Sequence, residues 1–171
     1  MQLYSRMGGP PQAFIPRPTP GVIALLVTLT VCYALQLILM RVGLGDIIRA
    51  MTLVPAETVL ELRVWQPATS LLLHSPNSVG HLLNNAFLLY IFGTTLEGMR
   101  SRRWLWTSFA WCGLAGSFLT IALGGLLHLL APGSGVDAIW GRAVLGASGG
   151  ALGLLVVWIA IHWGRRINLF L

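Results

Sequence analysis

The sequence predicts an all-α polytopic membrane protein. Three observations carry that expectation: four long apolar runs, charge confined to the gaps between them, and a composition that a water-facing surface does not accommodate. Hydrophobic residues make up 56% of the 171-residue chain and charged residues 9%, with a mean hydropathy of +0.76. Soluble domains carry roughly a quarter charged residues. Lipid is the solvent this composition calls for.

Residues 1–20 hold Pro10, Pro11, Pro16, Pro18 and Pro20 and lack hydrophobic periodicity. They read as a flexible Pro/Gly-rich tail that ends in a stiff, extended approach to the bilayer. They do not read as a cleavable signal, because the apolar stretch starts only at Val22 and no small-residue cleavage site follows it. A single membrane domain over 21–171 is expected after the tail. Its apolar runs lie at about 21–40, 79–97, 104–130 and 143–163, each near the roughly 20 residues that span a hydrocarbon core. Gly113, Gly116, Gly124 and Gly125 in the third run predict close helix packing in lipid. Between the first two runs, segment 41–78 mixes Arg41, Asp46, Arg49, Glu57, Glu61 and Arg63 with apolar residues and Trp65, punctuated by Pro55 and Pro67. It predicts a structured interfacial loop with short amphipathic helices.

All positive charge is arginine, and the net charge is +6. The arginines form no stripe with interleaved aromatics, which argues against a nucleic-acid partner. They instead follow the gaps, as topology-setting charges do. With the N-terminus cytoplasmic, Arg6, Arg17, Arg100, Arg102, Arg103, Arg165 and Arg166 fall inside, and Arg41, Arg49, Arg63 and Arg142 outside. The tight Arg100–Arg103 cluster weighs most for this orientation, and a cell (inner) membrane is the expected location. Cys32 and Cys112 both sit inside apolar runs, without metal-ligand spacing or a disulfide framework, and read as small buried hydrophobes.

Strongly polar side chains inside a span are costly, so those retained are functional candidates. His81 and Asn85 are four apart and share a helix face, about 6 Å apart along the axis. By spacing alone the pair reads first as interhelical hydrogen bonds that hold a bundle. Gly146, Ser148, Gly149, Gly150 and Gly153 open the fourth run. A lone G-x-S-G is weak, because serine and small residues are common where membrane helices touch. Depth joins the two motifs. In the expected orientation the second run enters from outside and the fourth starts outside, with Ser148 about 7–8 Å in from Ala143. A nucleophile needs donors aimed at the oxyanion it creates, and His and Asn side chains supply them.

The run from Trp65 to His74, then His81-x-x-x-Asn85, Gly93-x-x-x-Glu97 and Gly146-x-Ser148-Gly149, resembles the rhomboid family of intramembrane serine proteases across about residues 21–163. The resemblance implies a helical bundle with a six-helix core, four of whose transmembrane helices lie in this chain, and no metal or organic cofactor. It implies that Ser148 is the nucleophile, that His81 and Asn85 with the Ser148 N–H form the oxyanion hole, and that Gly146 shapes the nucleophile loop. Glu97 resembles the family's structural acid, and segment 41–78 its first loop. Two departures stand out. An aromatic residue often lies four positions after the serine, where Leu152 stands here, and Pro76 and Asn77 lengthen the gap between His74 and His81.

Serine needs an adjacent base. In the family this is a histidine on a sixth helix, and the sequence predicts a chain that ends soon after its fourth. His162 lies about 21 Å from Ser148 along the same helix and reads as interfacial. His128 shares the leaflet of Ser148 and reads as an interfacial histidine, with surrogate base as the sharper alternative. His74 reads as loop-stabilising or water-binding. The expected activity is endopeptidase cleavage of transmembrane segments of membrane proteins, with those substrates and the lipid bilayer as partners. The alternative is a non-catalytic relative that binds membrane clients without cutting them.

Overall fold

The computed structural model describes residues 17–135 and 137–163. The expectations for the tail up to residue 16, and for Arg165 and Arg166, fall outside them. The described residues are helical, and their sole β feature is an isolated antiparallel bridge between Leu53 and Val144.

The first helix, α1 (Pro20–Arg41), starts with proline at its first turn, where the missing N–H costs nothing. It stops at Gly43 (φ +82°), with the Leu44 N–H bonded back to the Leu39 carbonyl. That 6→1 bond around a left-handed residue is a Schellman stop. Hydropathy around α1 is nearly uniform, but burial is not. Val22, Leu25, Leu29, Tyr33 and Gln36 face inward, while Val31, Leu35 and Ile38 are 50–56% exposed. A helix apolar on both faces belongs in lipid.

Segment 42–78 folds into α2 (Gly45–Met51), α3 (Pro55–Leu60) and α4 (Gln66–Thr69), the last running into a 3₁₀ turn at Ser70–Leu72. Side chains staple it internally. The Gln66 amide oxygen accepts from Val54 N–H and the Thr58 hydroxyl, Trp65 Nε1 donates to the Ala50 carbonyl, and Glu57 pairs with Arg63 at 2.7 Å.

A second helical column follows: α5 (Val79–Leu88), a π turn at Leu89–Gly93, and α6 (Thr94–Met99). The long α7 (Arg102–Leu130) is capped by Ser101, whose hydroxyl accepts from Trp104 N–H. After the short α8 (Ala138–Gly141) comes α9 (Ser148–Ile161). Two helices, α1 and α7, have the length and composition to cross a membrane. Helix α9 is shorter than the predicted run 143–163, because residues 143–147 leave the helical path. Val144 exchanges both backbone bonds with Leu53, and Gly146 N–H donates to the Ser70 carbonyl at 3.0 Å.

The core joins α1, the α5–α6 column, α7 and α9 through Leu25, Leu29, Leu89, Leu96, Leu105 and Leu154. Helices α7 and α9 meet most closely, over glycine. A methyl at Gly150 would lie 2.5 Å from the Phe109 ring, and one at Gly149 would lie 3.4 Å from the Gly113 Cα. This is the close packing predicted from the glycines of the third run. Gly124 and Gly125 do something else: they receive Trp140 of α8. Cys32 and Cys112 are free and half-buried, rather than fully buried.

Candidate active site

Ser148 is the first residue of α9 and is half-buried. The residue before it, Ala147, is buried and offers no side-chain cap. The first N–H groups of a helix have no intrahelical acceptor, so those of α9 remain available beside the serine hydroxyl. The positive end of the helix dipole lies at the same place.

Gly146 sets the approach. Its φ of +121° is a conformation that side-chain-bearing residues rarely adopt. A methyl there would lie 2.6 Å from His81 Cε1, 2.9 Å from its Nε2 and 3.7 Å from Ser148 Oγ. The space a side chain would fill is therefore shared by the His81 ring and the serine. His81 comes from the first turns of α5, and its Nδ1 accepts the Ser75 N–H at 3.3 Å. In the neutral ring this bond puts the proton on Nε2, the nitrogen next to Gly146. Asn85 lies one turn further along α5, 1% exposed, and its side-chain N–H₂ has no acceptor among the described residues.

Behind His81 stands His74, fully buried, with ring centroids 5.4 Å apart. Tyr33 meets the far side of His74 edge-on at 6.2 Å. The Gln36 side chain holds the His74 backbone at both ends, accepting its N–H at 3.0 Å and donating to its carbonyl at 2.6 Å. Burial, and then the neighbouring His81, lower the His74 pKa from 6.5 to about 4, so its ring is neutral at physiological pH. Gln36 was missed in the sequence, although a glutamine in an otherwise apolar run was a visible signal. Tyr33 gave no such signal.

A cavity of about 180 Å³ opens beside Ser148 and Gly146, between α9, α7 and the 3₁₀ turn. Leu71, Ser117, Thr120 and Leu152 line it with the serine.

A family model for the Rhomboid domain matches residues 61–171, well over half of the chain. This chain belongs to the rhomboid family. The rhomboid family consists of intramembrane serine proteases, and its match together with the apolar helices makes this a membrane protein. No curated protein and no solved structure matches the chain.

The remaining candidates of this rhomboid chain lie apart from Ser148. Glu97, in α6, caps a different helix: its carboxylate accepts the N–H groups of Gly21 and Val22 at 2.9 Å and the Thr19 hydroxyl. His128 stacks on Trp140 and meets Asp137 at 3.5 Å. Backbone N–H groups, Gly133 foremost, hold the Asp137 carboxyl below the usual carboxylate range. His162 stacks on Trp158, with Nδ1 2.8 Å from the Trp158 carbonyl, at the far end of α9.

Proposed function

We propose that this chain acts as an intramembrane serine endopeptidase on transmembrane segments of membrane proteins, with Ser148 as nucleophile. The observation that carries this reading is the contact at Gly146, where a glycine at positive φ leaves His81 Nε2 and Ser148 Oγ facing one small space. Attack of Oγ on a peptide carbonyl puts negative charge on the carbonyl oxygen. His81 Nε2–H, the Asn85 amide and the Ser148 backbone N–H are the donors for that oxyanion. A base, in the family a histidine on a further helix, takes the Oγ proton and passes it to the departing amine as the C–N bond breaks; water then hydrolyses the acyl-serine and restores Oγ–H. In this reading the α5–α6 column and α9 span the membrane with α1 and α7. The N-terminus is cytoplasmic, the membrane is the cell (inner) membrane, and Ser148 lies in the outer leaflet.

One observation favours the second reading, a relative that binds membrane clients without cutting them. Among the described residues no histidine nitrogen hydrogen-bonds the Ser148 hydroxyl, and the base expected from the family is a histidine on a further helix. Covalent labelling separates the two. The protease reading expects the purified full chain to react with a fluorophosphonate probe, Ser148→Ala to lose the label, and His128→Ala to keep it. Wild-type protein that remains folded but unlabelled, and that still retains a single-span client, would establish the binder instead.

A further inference from the structure

At the end of the bundle opposite Ser148, α1 and α7 enclose a groove of about 320 Å³ lined by Ala24, Arg102, Arg103 and Trp106. We propose that this groove binds one anionic glycerophospholipid, its phosphate on Arg102 and Arg103 and the start of an acyl chain along Ala24 and Trp106.

The charge is unbalanced in a way that calls for an anion. Arg102 and Arg103 line this groove, and neither has an ion-pair partner among the described residues. The nearest acid, Glu97, is occupied by the start of α1, where it accepts Gly21 N–H, Val22 N–H and the Thr19 hydroxyl. Arg102 runs past that turn without pairing: a methyl at Gly21 would lie 2.7 Å from its Cγ and 2.6 Å from the Glu97 oxygens. Two adjacent guanidinium groups match a phosphodiester, with paired N–H donors fixed in a plane.

The floor of the groove selects a lipid over a free anion. Ala24 sits one turn into α1 and Trp106 one turn into α7, so the groove leads from the arginines toward the hydrocarbon. On the same helix, Ile23 and Val27 are 46% and 55% exposed, so α1 offers apolar surface to lipid over these turns. Trp106 is pinned as a wall, its Nε1 donating to the Gly21 carbonyl at 3.1 Å. An occupant must therefore be anionic at one end and apolar at the other.

The proposal is independent of the protease reading, since fluorophosphonate labelling of Ser148 reports on the opposite end. The test is native mass spectrometry of the full chain, released from detergent after incubation with equal phosphatidylglycerol and phosphatidylcholine. Wild type should retain one phosphatidylglycerol in preference. Each arginine near a membrane surface contributes about 1 kcal/mol, so R102Q/R103Q should weaken retention about thirtyfold. Ala24→Phe keeps every charge, alters a lipid-facing position, and should displace the lipid by filling the groove. Unchanged retention in either variant overturns the proposal. So does equal retention of the two lipids, or displacement of phosphatidylglycerol by millimolar inorganic phosphate, which would make the groove a site for a free anion.

Discussion

Gly146 is the residue on which the site turns. Its positive φ and the His81 ring above it leave no room for a side chain. Gly146→Ala should therefore destabilise the fold by about 1–3 kcal/mol in thermal melts and abolish serine labelling. The two donors proposed on α5 are expected to act on the rate rather than the fold. His81→Ala and Asn85→Ala should each slow cleavage of a single-span reporter about 10²–10³-fold, read as kcat with little change in KM. His74 makes a different prediction. Its pKa is lower folded than unfolded, so below about pH 6.5 the unfolded chain binds a proton that the native ring refuses. Stability is full above that pH and is lost as pH falls toward the folded value of about 4. Melting temperatures in detergent should drop on acidification in the wild type, with a clearly smaller drop in His74→Gln. Ser148, His81, Asn85 and Gly146 stood out in the sequence as candidates, because a polar or glycine residue in an apolar run is conspicuous. The role of Gln36 was not legible, because its partner, the His74 backbone, is 38 residues away along the chain.

At the scale of elements, the first and third helices match the predicted runs to within one or two residues. The fourth does not. Hydropathy continues smoothly through 143–147, but the chain there leaves the helical path and bonds to Leu53 and Ser70. Backbone pairing overrides apolar composition, and it places Ser148 at the first residue of a helix rather than one turn inside it. The helical reading that set Ser148 about 7–8 Å in from Ala143 is thereby replaced. The π turn at Leu89–Gly93 was equally invisible, because the local stretch 86–93 is apolar throughout and its periodicity carries little phase. The α7–α9 contact was anticipated by its glycines and can be tested there. Gly150→Val would drive a branched side chain into the Phe109 ring, already 2.5 Å from a single methyl. Overpacking of this kind should cost about 1–3 kcal/mol, seen as a lower melting temperature, while Leu152→Val, two residues on at an exposed position, should be nearly neutral.

Across the whole molecule, α1 is held to the rest of the bundle by an unusual cap. The carboxylate that satisfies its first N–H groups comes from Glu97, 76 residues later, and ties the start of α1 to the end of the second column. Glu97→Ala should cost about 3 kcal/mol, the range of charge-assisted hydrogen bonds, and should loosen α1. Hydrogen exchange at Gly21 and Val22 would report that loosening directly. The sequence by itself determined the solvent, the helical class, the family resemblance and the residues able to do chemistry. Each of these depends on what a side chain is and on its near neighbours. The tertiary structure alone decided that Gly146 opens the space shared by His81 and Ser148, that Gln36 and Tyr33 back that site through His74, and that Glu97 caps a distant helix. Those are contacts between segments far apart in the chain, fixed by backbone pairing and close packing, and local pattern carries no record of them.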